Sequence, residues 1–174
     1  EEIQREFRHS NELAIEIQRK CHEDLEILGA CYPEGHYESK SLEEDIQNLK
    51  YKIGAGVKVL ITQLFFDNMK FYGFLSRLRE DGIDIPVSAG IMPIVRSSQI
   101  EKTVQLSGAS LPQSFTSMIA RYEHEPEKLY EAGIEYAVEQ CRDLLQHGAD
   151  GIHIYTMNDP EVAIRVHEGI KDLL

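Results

Sequence analysis

Asp45, Asn48 and Lys52 fall at i, i+3 and i+7, a spacing that brings the three side chains onto one face of a helix. Beside them Leu42, Ile46, Leu49 and Ile53 form an apolar stripe of the same period, suited to packing on a sheet. A carboxylate, an amide and an ammonium bordering a buried stripe are groups that could hold a ribose and a pyrophosphate. An ordinary solvated helix face shows the same spacing, so both readings stay open here. Gln63 ends an apolar run just ahead of Phe65 and Asp67. Its amide donates and accepts at once, which suits the edge of a heterocycle; a glutamine satisfied by backbone is the rival reading. His153 and Tyr155 alternate with Ile152 and Ile154, sending two polar rings to one face of a strand and two isoleucines to the other. His36 follows Tyr32-Pro33-Glu34-Gly35 and is suited either to touch a ligand or to cap that turn.

Other chemistries lack their residues. No HxH, HExxH or clustered Cys/His pattern supports a metal site, and GxSxG is absent. No strand is followed by GxGxxG, which disfavours a dinucleotide-binding Rossmann unit.

The elements that must position these residues alternate along the chain. A helix is expected over 5–24, with Leu13, Ile17 and Cys21 on one stripe, then a short strand over 25–32. Ser41-Leu42-Glu43-Glu44 reads as a capping box that opens a helix ending near Gly54–Gly56. The run 57–66 is nearly continuous in apolar residues, as in a parallel strand covered on both faces. A helix is expected from Asp67 to about Asp81, a strand over 85–90 and a helix opening at Ser97 or Ser98. Helices over 112–122 and 126–147, a strand over 151–156 and a last helix starting at Pro160 complete the pattern. Strand and helix thus repeat four times after one leading helix, which implies an α/β fold with a parallel sheet and right-handed crossovers. Tyr32, His36, Gln63, Met92, His153 and Tyr155 gather at the C-terminal ends of the strands. In a (β/α)8 barrel those ends form the active face, and a complete barrel takes about 250 residues. Four units make half of one.

Composition narrows the classes further. The 174 residues carry 30 acidic and 18 basic side chains, a net charge of -12 that argues against nucleic acid as a partner. Nowhere do eighteen apolar residues run together, so no membrane span is expected, and the charged start EEIQREFRHS is no signal peptide. Three widely spaced cysteines suit a reduced, cytoplasmic protein. The sequence begins at Glu1 rather than Met, and a preceding segment is expected.

Five blocks carry a family resemblance: YPEGH at 32–36, SLEEDIQNLKYKIGAG at 41–56, ITQLFFD at 61–67, GIMPI at 90–94 and HIYTMN at 153–158. In order and spacing they resemble methylenetetrahydrofolate reductases over essentially the whole chain. The resemblance implies a flavin-binding (β/α)8 TIM barrel, with residues 1–174 supplying its last four strand–helix units as part of a single domain. It further implies hydride transfer from NADH or NADPH, through the flavin, to 5,10-methylenetetrahydrofolate, giving 5-methyltetrahydrofolate in one-carbon metabolism. Matched residue by residue, the flavin contacts fall on Tyr32, His36, Asp45, Asn48 and Lys52, with FRHSNEL placing Ser10 beside them. Tyr51 completes the cofactor set, at a phosphate-contacting position where the family usually has a basic residue. An adenosine-side helix stripe leans to FAD over FMN. Gln63 matches a glutamine that meets folate and nicotinamide in turn, Gln99 a further folate contact, and Tyr155 the strand beside that pocket. Two departures stand out: Thr103 replaces a residue that is often bulky and apolar, and Asp159 stands where arginine or lysine is common.

The family's general-acid glutamate and its flavin-side aspartate have no counterpart in these residues, so no catalytic residue is assigned and the acid is expected upstream. A non-catalytic half-barrel that binds a nucleotide or a partner chain is the alternative, and a homo-oligomer stays open. An isolated half-barrel is expected to self-associate through its open edges and exposed interior.

Overall fold

A computed structural model describes residues 7–21 and 25–174. Its elements run α1 (Ser10–Cys21), β1 (Ile27–Cys31), α2 (Leu42–Gly54), β2 (Val57–Thr62), α3 (Asn68–Glu80) and β3 (Val87–Ile91). They continue with α4 (Ser97–Ser107), α5 (Gln113–Tyr122), α6 (Pro126–Gln146), β4 (Gly151–Ile154), α7 (Pro160–Ile170) and a short 3-10 turn, Lys171–Leu173.

Local chemistry explains where the helices begin. The Ser41 hydroxyl accepts the Glu44 N–H at 3.2 Å, while the Glu44 carboxylate reaches back to the Lys40 N–H at 2.7 Å. Two donors orphaned at the start of α2 are thereby satisfied, as in a capping box, with the acid engaged one residue earlier. Asp67 opens α3 by accepting the Met69 N–H at 3.0 Å. Pro126 and Pro160 sit in the first turns of α6 and α7, where a missing N–H costs nothing.

The strands form one parallel sheet in the order β1-β2-β3-β4, so each unit lies beside its predecessor, as around a (β/α)8 barrel. One face is buried beneath helices: Cys31, Leu60, Val87, Ala89 and Ile91 join Leu49 of α2, Phe74 of α3, Leu144 of α6 and Val166 of α7 in the main core. On the other face Leu28 is 51% exposed and Ala30 is exposed, while Val59, Ile61, Ser88 and His153 are half-buried. α6 approaches the loop after β3 so closely that a Cβ at Gly133 would run into the Ile94 carbonyl oxygen.

Three details depart from the sequence-based expectation. β2 ends at Thr62 rather than at residue 66, because the chain then leaves the sheet. Phe65 and Phe66 are buried by side-chain stacking instead, on Phe71 at 5.5 Å and on Phe115 at 4.3 Å between ring centroids. An apolar run therefore marks burial here, not strand. The last strand is likewise short, Gly151–Ile154. α1 buries Ala14, whereas Leu13 of the expected stripe is 44% exposed, and α1 packs beside α2. Residues 5, 6 and 22–24 of the expected first helix lie outside the described residues.

Candidate functional site

β1 delivers Tyr32 at its C-terminal end, and the following loop carries His36 back toward the first turn of α2. Asp45 lies in that turn, 5% exposed. Its Oδ2 accepts the His36 backbone N–H at 3.1 Å and its Oδ1 accepts the Ser39 hydroxyl at 3.3 Å, which fixes the loop against the helix. The His36 ring meets Tyr32 edge-on, with centroids 4.5 Å apart and planes at 73°. Two turns on, the Lys52 ammonium donates to the Ala30 carbonyl oxygen at 3.0 Å and lies 5.9 Å from the centre of the Tyr32 ring. Burial raises the Tyr32 phenol above its ordinary pKa, with the negative charge of Asp45 adding to the effect.

These groups border a cleft of about 500 Å³ whose lining includes Ser10, Tyr32, His36, Asp45, Asn48, Tyr51 and Lys52. All seven residues assigned to a cofactor from the sequence thus share one cavity, of a size ordinary for small-molecule sites. Arg8 and His9 line it too. Sequence reasoning stopped at Ser10; the signal for its neighbours was two basic side chains immediately before a helix start. The donor set is rich in cations, hydroxyls and amides, which fits a phosphorylated ligand carrying sugar hydroxyls.

A second group sits at the ends of β2, β3 and β4. The Gln63 backbone N–H donates to the Cys31 carbonyl at 2.7 Å, and its side-chain oxygen accepts the Leu64 N–H at 2.9 Å. The amide NH2 of Gln63 has no protein acceptor among the described residues. Tyr155 donates its hydroxyl to the Thr62 carbonyl at 3.0 Å and meets His153 edge-on at 4.7 Å. Burial raises this phenol as well. Gly90 makes the reach possible, since a Cβ there would stand 2.8 Å from the Tyr155 ring.

Gln99 is employed differently. Its side-chain oxygen accepts the N–H groups of Val95 and Arg96, both at 2.9 Å, and so caps α4. No hydrogen bond joins it to Gln63 or Tyr155 among the described residues. A glutamine three residues after a helix cap is half of a capping box, so this role was readable from sequence. Thr103 is 4% exposed, and its hydroxyl lies 3.8 Å from the Met92 sulfur. Asp159 pairs with Arg96 at 3.2 Å, so its charge is met by the neighbouring loop. Between them Met157 and Asn158 both adopt the left-handed conformation, at φ 53° and 63°.

Parallel strand–helix units in barrel order, with a cation-bearing cleft at the C-terminal end of a strand, define an α/β barrel chain. The family model for methylenetetrahydrofolate reductase matches residues 1–171. Methylenetetrahydrofolate reductase 1 of Schizosaccharomyces pombe is 34% identical over 152 residues, covering 87% of this chain and 25% of that protein. The 5,10-methylenetetrahydrofolate reductase of Pectobacterium carotovorum is 34% identical over 143 residues, covering 82% and 48%. The chain belongs to the methylenetetrahydrofolate reductase family. It spans about a quarter of the yeast relative and about half of the bacterial one. An uncharacterized protein from Clostridium thermocellum that binds two copies of 5-methyl-5,6,7,8-tetrahydrofolic acid has the same fold, with a TM-score of 0.65 and 17% identity over 92% of this chain and 58% of that one.

Proposed function

We propose that the protein carrying this chain reduces 5,10-methylenetetrahydrofolate to 5-methyltetrahydrofolate, with NADH or NADPH as hydride donor and a flavin, FAD by preference, as carrier. The observation that carries this reading is the meeting of Tyr32, His36, Asp45, Asn48, Tyr51 and Lys52 at one cleft in a chain of this family. A flavin held there would supply the two-electron chemistry, taking a hydride from the nicotinamide and passing it to the folate. Lys52 offers its cation to phosphate, and Asn48 and Ser10 offer hydrogen bonds to ribose or phosphate oxygens. Asp45 positions His36 by binding its backbone N–H, so the imidazole keeps a fixed place at the cleft wall. Gln63 would offer its amide NH2 to the substrate, beside the Tyr155 ring that is anchored on the Thr62 carbonyl. Gln99, whose carbonyl caps α4, would reach folate only through its amide nitrogen. The general acid is assigned to the other half of the barrel, outside this chain.

Folate as a ligand is supported by the family and by the folate-binding neighbour of like fold. Among the described residues no helix is long and apolar enough to cross a membrane, and Cys31 and Cys141 are buried free thiols. The free thiols support the cytoplasm as the proposed compartment.

The direct experiment follows anaerobic reoxidation of the reduced flavin in the full-length protein on adding 5,10-methylenetetrahydrofolate. Reoxidation with formation of 5-methyltetrahydrofolate is expected. A flavin-loaded protein that stays reduced would sink the assignment.

A further inference from the structure

We infer that Arg8 binds phosphate in this cleft, supplying the cation that the chain lacks at Tyr51. The inference rests on the flavin reading of the cleft and extends it to Arg8, which FRHSNEL contains but to which the resemblance gives no role. Three observations carry it.

The first is placement. Arg8, two residues ahead of α1, lines the same cavity as Lys52, Asn48 and Tyr51 of α2. Its backbone is fixed there, because the Arg8 N–H donates to the Glu12 carboxylate at 2.7 Å.

The second is the state of its guanidinium. In an acid-rich chain the other described arginines are engaged. Arg19, Arg77, Arg79, Arg96, Arg142 and Arg165 each pair with a carboxylate, and Arg121 lies 5.1 Å from the centre of the Tyr122 ring. Among the described residues no hydrogen bond, ion pair or ring contact engages the Arg8 guanidinium. Arg8 is exposed, and its backbone N–H and then its charge help hold the Glu12 carboxyl below its ordinary pKa, but its five guanidinium N–H donors meet no protein acceptor among the described residues.

The third is what the cleft lacks. Tyr51, 67% exposed, puts a neutral phenol at a rim position, and the Lys52 ammonium is drawn inward to the Ala30 carbonyl and the Tyr32 ring. A diphosphate carries two negative charges and prefers planar, two-pronged donors, which a guanidinium supplies and an ammonium does not. Arg8, at the same cavity, meets both requirements.

The test measures FAD and riboflavin affinities of the full-length protein by flavin fluorescence quenching. Riboflavin has the same ring but no phosphate. Arg8→Ala should weaken FAD by about ten- to a hundredfold, the range of one charge-assisted hydrogen bond, and leave riboflavin unchanged. Adding Tyr51→Arg to Arg8→Ala should restore FAD binding, which a merely structural role for Arg8 would not allow. Equal loss of FAD and riboflavin in Arg8→Ala would overturn the inference. So would unchanged FAD affinity in Arg8→Ala while Lys52→Ala weakens it, and that result would leave the flavin reading intact. A wild-type protein that binds neither flavin would overturn both.

Discussion

The Tyr155 hydroxyl crosses β3 to reach the Thr62 carbonyl oxygen on β2, 3.0 Å away and 93 residues earlier in the chain. The regular β2–β3 pairing stops at Ile61 and Ser88. Beyond it the Thr62 hydroxyl takes the Gly90 N–H at 2.8 Å, and Tyr155 takes the carbonyl that the ladder has left. A side chain from one strand thus completes the hydrogen bonding of another at the mouth of the sheet. Gly90→Ala should cost about 1–3 kcal/mol, since its Cβ would press on both the ring and the carbonyl. Tyr155→Phe keeps the ring and should cost about 1 kcal/mol. Thermal unfolding of the two variants checks the order, and a Gly90→Ala protein as stable as wild type would contradict it.

Asp45 holds two loop donors from a position almost closed to solvent. Asp45→Ala should destabilise the protein by about 1–3 kcal/mol, because the His36 N–H loses its acceptor in a partly buried place. The loop over 33–39 should then exchange its amides faster while the amides of β2 and β3 keep their protection. Hydrogen exchange resolves the two regions separately. Uniform acceleration everywhere would mean that Asp45 supports the whole fold rather than this loop.

Gln63 spends its side-chain oxygen on the Leu64 N–H, and its amide NH2 meets no protein acceptor among the described residues. Gln63→Ala should therefore lower turnover of the folate by about tenfold, the worth of one hydrogen bond, with the flavin still bound. Steady-state kinetics and the visible spectrum are read together. Loss of the yellow colour would move Gln63 from substrate to cofactor.

Away from the cleft, Asp143 accepts the Tyr72 hydroxyl and the Asn68 amide, both at 2.6 Å. Those two bonds hold its carboxyl below the ordinary range, the hydroxyl first and the amide second. A depressed folded-state pKa adds stability above the unfolded value of about 3.9 and loses it as pH falls through the lower folded value. Asp143→Asn should remove that part of the acid sensitivity below about pH 4 and lower stability at neutral pH. The side chain is 44% exposed, so solvent keeps the effect small. Acid titration of the unfolding midpoint compares the two proteins; identical slopes below that pH would show that Asp143 does not contribute.

Much of this was legible from spacing alone. α2 and its polar face follow from residues three to seven apart, and the structure sets Asp45, Asn48 and Lys52 along one cleft. Cap residues Ser41 and Asp67 were equally local. The strand over 57–66 ran too far because hydropathy does not separate a buried phenylalanine in a loop from one in a sheet. Relations between distant segments left no trace in the sequence: Tyr155 with Thr62, Arg96 with Asp159, and Arg8 at the same cleft as Lys52. Asp159 in particular reads from sequence as a misplaced acid, and only the fold supplies its partner.

That pairing has a consequence for motion. Arg96 leads out of β3 and Asp159 leads into α7, so one ion pair latches two loops that no backbone hydrogen bond ties together among the described residues. Arg96 is 65% exposed, which leaves the latch open to counterions. Rising ionic strength should weaken this latch, by at most the about 1 kcal/mol that an exposed pair contributes, while the packed core beneath it is insensitive to salt.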